Sequence, residues 1–227
     1  MGNVFFGGGK VGMAAPVGGL PVSDLIEGQI VMINENGVAI PYYLAKHDYE
    51  SGLNGAGRML LARKEPYVTM ALNSANSNIY ADSNVDVLFN GDFFASLDSG
   101  VQNLISETIF PYTKGGTTTI TTLARKVFAL SCAELAFSHS TANVEGSSLP
   151  IASTINNSRS GYEGTRTPVN GSPNNYYALL NKTGHSGTTG IYASVKWRPC
   201  FTIPSTALVE QEPNADGSVN LLVQEVS

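Results

Sequence analysis

GQIVMINENGVAIPYYLAKHDY, residues 28–49, holds two apolar runs on either side of Glu35-Asn36-Gly37. Asn-Gly suits the tight turn in which both central residues have positive φ, so it is a strong local signal for a β-hairpin. The first strand is expected around Ile30 to Ile33 and the second from Val38 through Tyr43. Pro41 has no backbone N–H to give to a ladder. The second strand is therefore expected to be bulged at Pro41 or to lie at a sheet edge.

Downstream, Met59, Leu60 and Leu61 read as a short core strand. The apolar period then lengthens. Ser83, with Asp86 three residues on, forms a capping box with Asp in place of Glu. Val85, Leu88 and Phe89 give that helix an apolar face, and Asn90-Gly91 is expected to end it. Leu97, Val101, Leu104 and Ile105 recur at helical spacing, so a second helix is expected from about Asp98 to Glu107. KVFALS (126–131) reads as a buried strand. Ser131 with Glu134 is a full capping box, predicting a short helix over CAELAF (132–137).

From His139 to Thr188 the residues are mostly Gly, Ser, Asn, Thr and Pro, interrupted by YYALL. This predicts a long loop region with few elements, of the kind that is functional or held down by its own contacts. GIYASVKWRPCFTIP (190–204) reads as a strand pair with a bulge at Pro199. Val195, Trp197, Cys200 and Phe201 are expected in the core, and Arg198 faces outward or pairs with a structural carboxylate. NADGSV (214–219) is a turn, followed by a short strand or tail. Strands with a few central helices, and no regular βα alternation, predict an α+β fold. The expected form is a single compact loop-rich domain with a mainly antiparallel sheet and two or three short helices. Its limits are residues 23–208, after a Gly-rich arm (1–22) and before a C-terminal turn and short strand or tail (209–227).

Charge narrows the function. Thirteen Lys and Arg stand against 18 Asp and Glu, with no basic cluster, which argues against a nucleic-acid partner. Charged residues are 14% of the chain, where about 25% is usual, and Gly contributes 24 of 227. The polarity comes from amides and hydroxyls, a composition frequent in extracellular and virion surface proteins. No stretch approaches about 18 consecutive apolar residues, and the N-terminus lacks the charged and apolar regions of a signal peptide, so no membrane association is expected. Cys132 and Cys200 sit among apolar residues and read as buried thiols, which behave as small hydrophobes; the alternative is a single bridge between them if their strands are neighbours.

The candidate sites are few. Cys200 as a nucleophile finds no motif with His47, His139 or His185. Asp82, Asp86, Asp92 and Asp98 read as solvated helix ends and caps. No metal-ligand spacing occurs, so no metal or other cofactor is expected. Gly7-Gly8-Gly9-Lys10 lacks the strand and the Ser/Thr of a phosphate loop. Residues 162–185 concentrate Tyr162, Arg166, Asn174, Asn175, Tyr176, Tyr177, Asn181 and His185. Tyr and Asn make good ligand contacts, so this is the expected ligand-binding surface; the alternative is that the tyrosines pin the loops to the domain. In the arm, Phe5, Phe6, Lys10 and Met13 are the expected subunit-docking residues, since the apolar ones are costly to leave in water.

An ordered set of segments carries a resemblance. VFFGGGKVGM (4–13), the opening hairpin, NIYADSNVDVLFNGDFFASLD (78–98), IFPYTKG (109–115), KVFALSCAE (126–134), VEGSSLP (144–150), TRTPV (165–169) and WRPCFTIPS (197–205) follow one another. Together they resemble a domain of unknown function found in Gram-positive bacteria and in the tail modules of their phages and prophages. The resemblance implies a fold similar to C-type-lectin-like and sulfatase-modifying-factor-like domains. It implies a virion protein, made in the host cytoplasm, that forms a tail or other appendage. The expected partners are other virion proteins, further copies of the chain and a host cell-surface glycan or protein. Tryptophans that such domains commonly carry before Arg-Ser-Pro are replaced here by Gly161 to Gly164 and Thr165-Arg166-Thr167-Pro168, and no calcium-site residues are recognisable. The alternatives are a soluble lectin-like adhesin of a bacterial surface, or an enzyme akin to sulfatase-modifying oxidases, which would need reactive cysteines.

Overall fold

Asn36 and Gly37 both take positive φ, 49° and 75°, and close a two-residue turn in which Glu35 pairs with Val38. This is the hairpin expected from Asn-Gly, and it sits inside the main sheet of the molecule.

A computed structural model describes residues 18–74, 76–180 and 185–223. In chain order they form β1 (Leu20–Pro21), β2 (Ile30–Glu35), β3 (Val38–Lys46), α1 (Ser51–Asn54), β4 (Arg58–Arg63) and β5 (Val68–Met70). α2 (Asn84–Leu88) then runs through a π-helical turn (Phe89–Phe93) into α3 (Phe94–Ser96). α4 (Ser99–Leu104), β6 (Thr108–Thr113), β7 (Ile120–Arg125), β8 (Val127–Phe128) and α5 (Ala152–Ser158) follow. The last strands are β9 (Tyr162–Pro168), β10 (Asn175–Leu180), β11 (His185–Gly190), β12 (Val195–Trp197), β13 (Cys200–Pro204), β14 (Leu208–Val209) and β15 (Val219–Leu222).

Eight strands form one sheet in the order β1-β14-β15-β2-β3-β4-β13-β8, and five form a second, β11-β10-β9-β12-β5. β6 and β7 make a separate hairpin. Pairing is antiparallel except for β15 with β2 and β12 with β9. The fold is therefore α+β with a largely antiparallel framework.

Apolar side chains leave both faces of the central strands. On β4, Met59 and Leu61 join one core cluster while Leu60 and Ala62 join another. On β10, Tyr176 and Ala178 face the first cluster, Tyr177 and Leu179 the second. A strand buried on both faces reads as a continuous apolar run, as RMLLAR does, because alternation only appears where one face is wet.

Several expectations need correction. Pro41 carries no bulge. It pairs with Met32 and lies one residue beyond the end of the β4 ladder, so its missing N–H costs no bond there. The irregularity falls between Leu44 and Lys46 instead, and β3 is an inner strand. Asn90-Gly91 does not end a helix. The Asn90 amide donates to Val127 O (2.9 Å) and its Oδ1 accepts from Val127 N (3.1 Å), so Asn90 clamps β8 while the helix continues. The second helix stops at Leu104, since Ile105 is already extended. The Ser131/Glu134 box is real, with Glu134 N–H on Ser131 Oγ (3.1 Å) and Ser131 N–H on Glu134 Oε2 (2.7 Å). It caps only a single turn, which Ala136 ends at φ 57°.

The region 139–188 is not a long loop: it contains α5, β9, β10 and β11. Among the described residues, strands lie beyond the expected limits of residues 23 and 208: β1, β14 and β15 make one side of the large sheet. At Pro199 there is no bulge but a change of sheet. β12 belongs to the five-stranded sheet and β13 to the eight-stranded one, and Arg198-Pro199 is the whole connection.

Candidate functional site

The residues expected to form a contact surface divide by burial. Tyr176 and Tyr177 are each 1% exposed and point to opposite sides of β10. Tyr176 stacks on Trp197 with ring centres 5.5 Å apart, and Tyr177 OH bonds to Thr141 Oγ1 and His139 Nδ1. Arg166 is fully enclosed as well. Burial removes these three from any surface, and the tyrosines hold β10 against the domain.

Tyr162 and Asn174 remain exposed, and Asn175 is half-buried with its amide on Ser172 Oγ (2.9 Å). Tyr162 opposes Leu180, which opposes His185, so the backbones of Tyr162 and His185 share one row of the sheet. Asn174 precedes the other end of β10, about 17 Å along the strand. The exposed candidates therefore do not form one patch. Beside Asn174, the sequence reading missed Tyr192, which is 60% exposed and follows Ile191, whose N–H donates to Asn174 O. Asn181 and the docking residues Phe5, Phe6, Lys10 and Met13 lie outside the described residues, as does the side chain of His185.

Chemistry-bearing groups collect inside. Arg166 donates from Nη1 to Glu134 Oε2 (2.7 Å) and Ala129 O (2.8 Å), and its guanidinium lies 4.6 Å from the Phe110 ring centre. Glu134 also accepts from Tyr49 OH. Beside them, Glu145 accepts from Thr113 N–H and Thr167 Oγ1, both at 2.6 Å. Burial pushes its carboxyl up to about 7, against the opposing pull of Arg166 and of the Thr167 and Thr113 bonds. Sequence reasoning missed Glu145 because its partners lie 32 and 22 residues away.

Arg198 pairs with Glu163 through Nε (2.6 Å) and Nη2 (3.1 Å) and donates to the Arg63 and Lys64 carbonyls. Of the two placements the sequence allows, outward or paired with a structural carboxylate, Arg198 takes the second, and it braces the change of sheet. Asp86 was expected to be solvated. It is buried, pairing with Arg125 at 2.9 Å.

Cys132 and Cys200 are free and buried. Burial pushes the Cys132 thiol up to about 12 and raises that of Cys200 too. Neither thiol is set up as a nucleophile, which needs thiolate and access. Among the described residues, no group of three or more His, Cys, Asp and Glu is placed to hold a metal ion.

Trp197 has its own receptor. Its Nε1 donates to Met70 O (3.0 Å), and its ring lies against Gly164, where a Cβ would meet Cη2 at 2.5 Å. Gly164→Ala is therefore expected to cost about 1–3 kcal/mol through overpacking. A lowered thermal midpoint with altered tryptophan fluorescence would register it; an unchanged midpoint would contradict the contact.

An open, largely apolar groove of about 520 Å³ lies between α4 and the β14–β15 pair. Leu104, Leu208, Leu222 and Val223 line it, and Asn103 and Thr206 supply its polar side chains. No titratable side chain is among its described lining residues.

The family model described as Domain of unknown function (DUF6273) matches residues 56–205, about two-thirds of the chain. The chain belongs to the DUF6273 family. No curated protein and no solved structure matches it. The DUF6273 segment takes in β4 through β13, and so both buried Arg–Glu centres and the change of sheet. The β14 and β15 walls of the groove lie beyond it.

Proposed function

We propose that this protein is a structural subunit of a phage virion, in a tail or other appendage, which assembles through its N-terminal segment. The observation that carries the reading is the position of β1. It is one of the two edge strands of the eight-stranded sheet, so the Gly-rich segment upstream joins the domain at a sheet edge. That segment contains Val4, Phe5, Phe6, Val11 and Met13, apolar residues that call for a covering surface. The ordered resemblance to phage tail-module domains, which implies a C-type-lectin-like fold, is in keeping with the same assignment. In this reading the buried Arg–Glu centres are architectural and no catalytic role is assigned.

Deleting residues 2–17 leaves every described element intact in sequence and tests the reading directly. The expected result is a folded chain that no longer self-associates in sedimentation velocity. A deleted chain that assembles like the parent would remove the arm from the account.

Host contact is a second reading, favoured by the exposed Tyr192 beside Asn174 and by the exposed Tyr162. The same contacts would serve a lectin-like adhesin. A cell-wall or glycan binding assay with Tyr162→Ala and Tyr192→Ala tests it. Binding that survives both changes would exclude these positions.

A further inference from the structure

We infer that the groove between α4 and the β14–β15 pair receives the N-terminal segment of a second copy of this chain. The inference rests on the arm reading above and adds to it the acceptor site and the direction of exchange.

Three observations carry it. First, the groove's lining suits apolar side chains and little else. Leu104, Leu208, Leu222 and Val223 line it, Leu208 is 42% exposed, and Asn103 and Thr206 are the polar side chains among its described lining residues. Its volume of about 520 Å³ is that of a small-ligand site, but such sites fix their ligands with convergent polar groups. Here two neutral polar side chains stand against four large apolar ones.

Second, the arm joins the domain at the groove's own wall. A Cβ on Gly19 would lie 2.8 Å from Leu222 Cδ1 and 2.9 Å from Leu208 Cβ, so the chain passes directly against two lining residues.

Third, the strand register points the arm away from its own groove. β1 runs antiparallel to β14, with Pro21 opposite Leu208 and Leu20 opposite Val209. Moving upstream, Gly18 reaches Glu210, Gln211 and Glu212, with which it lines a separate depression. The groove lies toward Thr206 and Ala207, at the other end of the pair. A chain's own arm would have to reverse to enter it, whereas a neighbour's arm need not. Seventeen residues span up to about 55 Å when extended, enough to cross to an adjacent subunit. Exchange of identical segments is a low-cost route to assembly.

The test is complementation between two full-domain variants. One lacks residues 2–17 and keeps the groove. The other keeps the arm and carries Leu208→Asp, placing a charge in the groove at an exposed position. Each alone is expected to self-associate at least tenfold more weakly than the parent, with Trp197 fluorescence and thermal midpoint unchanged. Mixed together, they are expected to form a heterologous pair, since each supplies what the other lacks. Asn103→Trp, which fills the groove from an exposed wall position, is expected to behave as Leu208→Asp does and guards against a folding artefact. A mixture that stays apart would overturn exchange between copies. Groove variants that assemble like the parent, while the deletion does not, would overturn the groove and leave the arm reading standing. A deletion that assembles normally would end both.

Discussion

Arg166→Met is expected to destabilise the protein by about 3–5 kcal/mol in urea unfolding. The change removes three donated hydrogen bonds and leaves the Glu134 carboxylate buried without its cation. Breaking one side of a buried pair costs that much because the remaining charge has no compensation. Tyr49 OH and the Ser131 N–H still reach Glu134, but both are neutral donors. The loss would be a large share of a total stability of about 5–15 kcal/mol. Arg166→Met combined with Glu134→Gln is expected to recover part of it, since no charge is then stranded. A single variant within 1 kcal/mol of the parent would show that the pair is not the brace between β9 and the Ser131 turn. The result also matters for recognition: any binding lost with Arg166 follows from unfolding, because the side chain never reaches the surface.

Glu145 should give the protein an unusual acid response. Its folded pKa of about 7 lies above the ordinary 4.5, so between those values the folded state holds more protons than the unfolded one. Stability from this group is fully present below about pH 4.5 and is lost as pH rises through about 7. The gap corresponds to about 3 kcal/mol. Glu145→Gln keeps a carbonyl for Thr113 N–H and an amide for Thr167 Oγ1 without the charge. It is expected to be close to the parent near pH 5 and more stable by about 1–3 kcal/mol at pH 8. Denaturant titrations at the two pH values decide this. A Gln variant less stable than the parent at pH 8 would mean that the ionised form is the one the site is built for.

Local signals carried the parts of the fold that are local. Asn36-Gly37 closes its hairpin and the NADGSV turn forms, with Asn214 N–H on Ser218 O at 2.7 Å. Val195, Trp197, Cys200 and Phe201 are all buried as their apolar character demands. The errors came where distant residues decide. Asn90 reads as a helix stop until Val127 gives its side chain a partner. Residues 162–168 read as loop because YEGTRTP carries little apolar signal, yet β9 is held by ladders to β10 and β12 and by Glu163 and Arg166 pairing inward. The same inward pairing hid the site. Tyr and Arg are the residue types of both binding surfaces and buried networks, and only tertiary partners distinguish the two.

The two-residue passage from β12 to β13 has a consequence for synthesis. β4 gains its second neighbour only when residues 200–204 exist, and β2 gains its second only with residues 219 and 220. Both large-sheet strands are made within the first 63 residues. A chain emerging from the ribosome therefore carries unsatisfied edges on β4 until residues 200–204 are made and on β2 until residues 219 and 220 are made. Such edges invite pairing with other chains, and long-range pairing of this kind is slow. Loss of the final strand would thus expose the middle of the sheet rather than trim its end.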